Sequence, residues 1–155
     1  MKKISFSAAL LLAITFSFSV AAHNRNNDSK IEISTALNLP VSGVYEWDFE
    51  IPGLGTEKST ITFSNTIVLQ EMKGKAYNTK YRMKVVSYDS KTKKIVLEGV
   101  DSKKGKYYAM FLKDITSKST MIYKAEFETK SDADKFARPA DDNKENHGWN
   151  IYTKK

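Results

Sequence analysis

Apolar and polar residues alternate along most of this chain, with a period of two from about residue 43 onward. In the segment GVYEWDFEI, for example, Tyr45, Trp47 and Phe49 alternate with acidic residues. This alternation is typical of β-strands that pack one face on a core and keep the other in water. It predicts strands at 44–51, 58–63, 66–72, 81–88, 94–100, 106–112 and 120–128, and a last strand within HGWNIYT, 147–153.

The segments between the predicted strands are short and rich in Gly, Asn, Asp, Ser and Lys, as in PGLGTE and DSKKG. Connections of this length join antiparallel neighbours, so the strands should form a meander. A meander leaves two exposed edges unless the sheet closes on itself. The predicted fold class is therefore mainly β, an antiparallel meander that closes into a small barrel, with a two-sheet sandwich as the second choice.

One segment departs from the period of two. In SDADKFARP, 131–139, Ser131 is a candidate N-cap with Asp134 at the N3 position, and Pro139 ends the segment. We therefore predict one short C-terminal helix, after which the last strand returns to cover the first.

The first long strand begins Gly43-Val44-Tyr45-Glu46-Trp47 and is followed by successive hairpins and a late helix. This arrangement resembles the lipocalin or calycin class of small barrels over most of the chain. The resemblance implies a closed antiparallel barrel. A barrel of about eight strands is just wide enough to be filled by its own side chains or to hold one small ligand.

Large side chains dominate the faces that are predicted to point inward. By strand, they are Tyr45, Trp47 and Phe49; Ile61 and Phe63; Tyr81, Met83 and Val85; Tyr108, Met110 and Leu112; and Met121, Tyr123 and Phe127. Side chains of this size either fill a barrel or line a pocket in its mouth, and enclosed tyrosine hydroxyls need partners. If a ligand enters the barrel, we expect it to contact Tyr45, Trp47, Phe49, Tyr108 and Met110.

The first residues have the three-part pattern of a secretory signal peptide: two lysines, an apolar run at 8–18, and small residues before a cut after Ala22. The apolar run is too short to cross a bilayer about 30 Å thick. The chain accordingly divides into a signal peptide at 1–22, a mobile N-terminal segment at 23–40 and a single β domain at 41–155. We expect a periplasmic or secreted protein without a transmembrane segment after processing.

The chain has no cysteine, so no disulfide can stabilise the exported domain. Its net charge is +7, and lysines concentrate in predicted turns at both ends of the meander. One of these ends, called the basic end below, comprises Lys73, Lys75, Lys80, Lys103, Lys104 and Lys106. A solvated surface accounts for such charge, and no specific nucleic-acid binding is predicted. The basic end is a candidate surface for an envelope or protein partner.

The acidic residues of the first strand offer one candidate chemistry. Glu46, Asp48 and Glu50 project from one face at steps of about 6.6 to 7 Å, which resembles the separation of paired acids in some glycosidases. A carboxylate-dependent hydrolase is therefore one alternative. The alternation, however, places these acids on the solvated face, so no catalytic residue is predicted.

A metal site is the other alternative. Cleavage after Ala22 would make His23 the amino terminus, and an N-terminal His with a second His can bind copper in a histidine brace. The chain has two His, so His23 and His147 form the candidate pair. Since the polar string NRNNDSK would not fix His23 in place, we predict no cofactor and keep copper as the alternative.

These observations favour an exported, non-enzymatic binding protein. Its ligand is either a small amphipathic molecule in the barrel mouth or an envelope or protein partner at the basic end. The pattern does not indicate an oligomeric state.

Overall fold

Eight strands close into an antiparallel barrel in a computed structural model that describes residues 37–155. The strands are β1 Gly43–Ile51, β2 Gly55–Phe63, β3 Ile67–Lys73, β4 Asn78–Asp89, β5 Lys94–Gly99, β6 Tyr107–Lys113, β7 Ser119–Phe127 and β8 Asn150–Lys154. Each pairs with the next along the chain, and β8 pairs back to β1. The predicted meander and its closure into a barrel are confirmed.

The predicted signal peptide at 1–22 lies outside the described residues, as does the predicted mobile segment up to residue 36. The last residues of that segment are described. Leu37 and Leu39 are partly buried against the barrel core, and Val41 is fully buried in it. These three side chains add to the packing of the barrel interior.

The glycines that follow β1 form the turn to β2. Gly53 and Gly55 have φ values of 79° and 91°, in the left-handed region that residues with a Cβ atom rarely adopt. Ile51 pairs directly with Gly55, so the two strands begin their ladder immediately at this turn. The glycines therefore have a structural role.

A single short α-helix, α1, spans Lys130–Lys135 between β7 and β8 among the described residues. The helix was predicted, but its N-cap is Thr129 and not Ser131. The Thr129 hydroxyl accepts a hydrogen bond from the Asp132 amide at 3.1 Å, which makes Asp132, and not Asp134, the N3 residue. Among residues 37–155, no helix is long and apolar enough to cross a membrane.

A buried lysine on β5 fixes the end of α1. The Lys94 ammonium donates to the carbonyl oxygens of Asp134 at 2.6 Å and Phe136 at 2.8 Å. These are carbonyls of the last helical turn and of the residue after it, groups that a helix end leaves without intrahelical partners. The helix is thus attached to the outside of the barrel, and burial lowers the pKa of Lys94.

Apolar side chains form two clusters, one inside the barrel and one outside it. The inner cluster includes Tyr45, Phe63, Val68, Ile95 and Leu112. The outer cluster lies between β6, β7 and α1 and consists of Ala109, Phe111, Tyr123 and Ala125, with Phe127, Phe136 and Trp149 packed against them. Strand β6 is therefore buried on both faces.

The outer cluster reverses the predicted faces of one strand, β7. Tyr123 and Phe127, predicted to point inward, lie outside the barrel against Phe136, with ring centroids 6.3 and 5.1 Å apart. Met121 shares their face of β7, so its predicted inward position is also wrong. The inward face of β7 carries Ile122, Lys124 and Glu126 instead.

Strand β8 carries apolar side chains on both faces. Tyr152 is buried inside the barrel, while Ile151 is 59% exposed on the outer face. Trp149, which precedes the strand, packs on Tyr123 in the outer cluster. Its indole N–H donates to the carbonyl of Ala140 at 3.0 Å.

Candidate functional site

A cavity of about 310 Å³ lies at one end of the barrel. This end carries the β1–β2, β3–β4 and β5–β6 turns and the long connection from β7 to β8. Inward side chains nearer the other end, such as Phe63 and Leu112, are packed into the inner cluster. The barrel is therefore solid in one half and open in the other.

Aromatic rings form the apolar wall of the cavity near its mouth. Trp47 and Phe49 stack with centroids 4.4 Å apart and an interplanar angle of 20°. Tyr77, from the β3–β4 turn, lies 6.3 Å from Phe49, and Tyr152 lies 5.8 Å from Trp47. All four residues line the cavity, so a flat apolar molecule would meet ring faces on entry.

A chain of hydrogen bonds crosses the deeper part of the cavity. The Tyr152 hydroxyl donates to Ser59 Oγ at 3.0 Å, and Gln70 Nε2 donates to the same oxygen at 3.2 Å. Gln70 Oε1 in turn accepts a hydrogen bond from the Lys124 ammonium. These four residues come from β8, β2, β3 and β7, so the network ties opposite sides of the barrel together.

Lys124 places a cation inside the barrel. Its Nζ atom lies 5.0 Å from the Tyr108 ring centroid and 5.6 Å from that of Tyr81. Burial lowers the pKa of Lys124 to about 8, since the surrounding protein replaces water around the charge. Among the ion pairs of residues 37–155, none joins Lys124 to a carboxylate.

The Tyr108 hydroxyl also lines the cavity. Tyr108 is only 1% exposed, and its hydroxyl has no hydrogen-bond partner of normal geometry among the described residues. Burial raises the pKa of Tyr108, and the nearby Glu126 carboxylate raises it further. The phenol is therefore a neutral donor that no described acceptor engages in normal hydrogen-bond geometry, although the Glu126 carboxylate lies close enough to act on its pKa.

Glu126 stands beside this hydroxyl but faces two lysines of the barrel rim. Its carboxylate lies 3.3 Å from Lys103 Nζ and 4.0 Å from Lys106 Nζ. Burial acts to raise the pKa of Glu126, but Tyr108 and Lys103 outweigh this effect and lower it overall. Glu126 is consequently an ionised carboxylate held at the rim.

Three of the five residues predicted to contact a ligand line the cavity: Trp47, Phe49 and Tyr108. The other two do not. Tyr45 and Met110 are fully buried in the inner cluster, beyond the cavity. They point inward as predicted, but they lie too deep in the packed half of the barrel to meet a ligand in the mouth.

Sequence reasoning missed the polar residues of the cavity, above all Lys124 and Glu126. Both lie on the face of β7 that looked solvated, because the more apolar face packs under α1. A signal was present in YYAMFL, 107–112, where apolar residues on both faces indicate that β6 is covered outside as well as inside. The pairing of β6 with β7 then sets Tyr108 opposite Glu126 and Met110 opposite Lys124.

The predicted basic end coincides with the cavity end, but much of its charge is paired. Lys73 and Lys80 both bind Glu71, at 3.1 and 2.7 Å. Lys103 binds Glu126, and Lys106 binds Glu128. Lys75 and Lys104, the remaining members of the predicted set, are exposed at the same end. The rim therefore carries both positive and negative side chains, several of them in ion pairs.

The acids of β1 lie on the outer surface of the barrel, as the alternation indicated. Glu46 binds Lys58 at 3.2 Å and Lys155 at 3.0 Å, and these contacts lower its pKa. Asp48 lies 3.8 Å from Lys58, and Glu50 accepts a hydrogen bond from Thr56. A general acid needs a raised pKa in a cleft, so this geometry gives the hydrolase alternative no support.

A different carboxylate, that of Glu57, is buried and structural. It accepts hydrogen bonds from the backbone amides of Ala76 at 2.9 Å and Tyr77 at 3.2 Å. A Cβ atom at Gly74 would overlap this carboxylate, so the β3–β4 turn is built around it. Glu57 therefore helps to position Tyr77 at the cavity mouth.

The candidate copper ligands are only partly described. His23 lies outside the described residues, whereas His147 is exposed at the cavity mouth in the 3₁₀ turn Glu145–His147. Within residues 37–155, no group of three or more metal-ligating side chains is found. His147 lies at the cavity rim.

No family model, no curated protein and no solved structure matches this chain. The likeness to lipocalins accordingly holds at the level of architecture, a closed antiparallel barrel of eight strands.

Proposed function

We propose that this chain is a binding protein that takes one small amphipathic molecule into the mouth of its barrel. The observation that supports this most directly is the cavity, with aromatic rings at its mouth and hydrogen-bonding groups deeper inside. Small-molecule sites are typically concave and mostly apolar, with a few convergent polar groups. A volume of about 310 Å³ lies at the lower end of their usual range.

The proposal includes export and a lipocalin-like relationship. Export is supported by the three-part pattern of residues 1–22, which predicts a periplasmic or secreted protein. The relationship is supported by the closed meander of eight strands and by a ligand-sized space in its mouth. Intact-mass measurement of the exported protein would test export, since cleavage after Ala22 defines a single expected mass.

A macromolecular partner at the basic end is the less favoured possibility. Pairing of Lys73, Lys80, Lys103 and Lys106 with carboxylates reduces the positive potential that could attract an anionic surface. The cavity is the more distinctive feature of this end of the barrel.

Binding of the neutral fluorophore N-phenyl-1-naphthylamine tests the proposed function. Ile122 is 3% exposed and lines the cavity, whereas Ile151 is on the outer face of β8. An indole at position 122 would occupy part of the cavity. We expect Ile122→Trp to weaken binding by about tenfold or more, equivalent to at least about 1.4 kcal/mol, and Ile151→Trp to leave it unchanged.

Fluorescence titration measures both affinities, and circular dichroism checks that each variant is folded. The proposal fails if the wild-type protein does not bind the fluorophore. It also fails if a folded Ile122→Trp variant binds as tightly as the Ile151→Trp control.

A further inference from the structure

The interior of the cavity holds a positive charge that no carboxylate of the described ion pairs balances. Glu126, two residues along β7, attracts Lys124 electrostatically, but its ion pairs are with Lys103 and Lys106 at the rim. The polar contacts of the Lys124 ammonium are the Gln70 carbonyl oxygen and the faces of two tyrosine rings. A cation enclosed in this way is normally paired, so its surroundings are suited to receiving an anion.

Hydrogen-bond donors around this point exceed the acceptors they meet. An ammonium group has three N–H donors, and the described hydrogen bonds of Lys124 use one, to Gln70. The fully buried Tyr108 hydroxyl has no acceptor of normal geometry within residues 37–155. Both groups line the same cavity, from the neighbouring strands β6 and β7. The charged Lys124 ammonium and the neutral Tyr108 hydroxyl can therefore both donate hydrogen bonds at the inner end of the cavity.

The shape of the cavity indicates what would carry the anion. Stacked Trp47 and Phe49 provide a flat apolar wall near the mouth, with Tyr77 beside them. A ligand that used both regions would have a planar or apolar body and an acidic group at its inner end. A carboxylate is the simplest such group, because its two oxygens accept hydrogen bonds from two separate donors.

We infer that the cavity selects small carboxylic acids, with the ligand carboxylate paired to Lys124 and hydrogen-bonded by Tyr108 while its apolar body lies against Trp47 and Phe49. This inference rests on the proposed binding function and names the class of ligand. Neutral molecules of the same shape would enter the cavity but would leave the ammonium without its counter-charge.

Calorimetric titration with 2-naphthoate and its neutral isostere 2-naphthamide tests the inference. A charge-assisted hydrogen bond contributes enough that we expect the wild-type protein to bind the acid about 10 to 100 times more tightly than the amide. Replacement of the charge in Lys124→Met should abolish this preference while amide binding persists. Tyr108→Phe, which removes only the hydroxyl, should reduce the preference by about tenfold.

The matched control is Lys84→Met. Lys84 is exposed on β4 and does not line the cavity, so this variant removes one positive charge without touching the site. We expect it to retain the wild-type preference for the acid. An equal loss of preference in Lys84→Met and Lys124→Met would show that net charge, and not the cavity lysine, attracts the acid, and would overturn the inference.

The titrations of the wild-type protein test small-molecule binding and acid selection separately, and they do not depend on whether the variants fold. Equal affinity for acid and amide would overturn acid selection and leave the binding function intact. Failure of both naphthalene ligands and of N-phenyl-1-naphthylamine to bind would overturn the binding function itself.

Discussion

Enclosing the Lys124 ammonium in the barrel destabilises the fold as long as no anion is bound. Burial lowers the pKa of Lys124 from an ordinary value of 10.5 to about 8. A difference of this size corresponds to a cost of about 3 kcal/mol at neutral pH. Because the unfolded chain holds this proton more tightly, the cost is present in full below pH 8 and disappears as pH rises towards 10.5.

Lys124→Met is therefore expected to stabilise the folded protein at pH 7. The gain should be about 1 to 3 kcal/mol, since methionine fills similar space without the desolvated charge but leaves Gln70 without its donor. The gain should shrink as the pH is raised towards 10. Urea unfolding of wild type and variant at pH 7 and pH 10 measures both differences.

The exposed Lys84→Met substitution again provides the control, with an expected change within about 0.5 kcal/mol at both pH values. If Lys124→Met lowers the unfolding free energy at pH 7, the contacts of Lys124 with Gln70 and the tyrosine rings outweigh its burial cost. The cavity lysine would then be a stabilising residue in the absence of a ligand.

At the scale of elements, the barrel could be predicted from the sequence because period and turn spacing are local properties. Every predicted strand is present, and the short turns set the order β1 to β8. The face of β7 could not be assigned in the same way. TMIYKAEFE, 120–128, presents Tyr123 and Phe127 on one side and Lys124 and Glu126 on the other, and periodicity assigns the apolar side to the interior.

Tertiary packing, which periodicity does not reveal, decides which face of β7 points inward. Phe136, which follows α1, and Trp149 supply a second apolar surface outside the barrel, so the apolar face of β7 is buried there. The polar face is left to line the cavity, where a ligand or water can meet its charges. On β1, which has one apolar and one acidic face, periodicity placed Trp47 and Phe49 on the side that lines the cavity. On β7, where apolar side chains are buried on the outer side, the same reasoning assigned the wrong face to the interior.

The attachment of α1 gives a prediction at this scale. Phe136 contacts Phe127, Phe111 and Tyr123, with ring centroids 5.1, 6.1 and 6.3 Å away. Since Phe136 is half-buried, Phe136→Ala should cost about 2 kcal/mol of unfolding free energy, less than a fully buried phenylalanine. Urea denaturation measures the loss. The exposed neighbour Lys135, the last residue of α1, provides the control, since Lys135→Ala should change stability little.

The same variant separates the outer cluster from the cavity. Phe136 lies outside the barrel, so a folded Phe136→Ala protein should bind N-phenyl-1-naphthylamine with the wild-type affinity. Unchanged stability in Phe136→Ala would mean that the helix adds little to the fold and that β7 keeps its orientation for other reasons.

In the barrel as a whole, the half that is filled by the inner cluster keeps the half that contains the cavity in shape. The inner cluster and the closed ring of strands hold the cavity residues on rigid elements, which keeps an enclosed charge and donor in place without a ligand. Binding of an acid should therefore change the protonation of Lys124 more than the conformation of the barrel. Pairing with a carboxylate would raise the pKa of Lys124 from about 8, so acid binding and proton binding should be coupled.

The charged and titratable groups that face Lys124 or share its cavity come from several strands and turns. They are Tyr77 from the β3–β4 turn, Tyr81 from β4, Lys103 from the turn after β5, Tyr108 from β6, Glu126 from β7, His147 from the 3₁₀ turn and Tyr152 from β8. The pKa values of Tyr108 and Tyr152 are raised, that of Tyr152 to about 12, and the pKa of Glu126 is lowered. These three groups therefore keep their charge states between pH 7.5 and pH 10. Lys124 is the cavity group whose burial brings its titration into this range.

We accordingly expect the affinity for 2-naphthoate to fall as the pH rises from 7.5 to 10. Above the pKa of about 8, the free protein must take up a proton to bind, so affinity should drop by about tenfold for each pH unit. The decline should end where pH exceeds the raised pKa of Lys124 in the complex. Calorimetry in buffers of different ionisation enthalpy should show proton uptake over the same range. Affinity for 2-naphthamide should stay level, as should that of Lys124→Met for either ligand, whereas a pH-independent affinity for 2-naphthoate in the wild-type protein would mean that its carboxylate is not paired with Lys124.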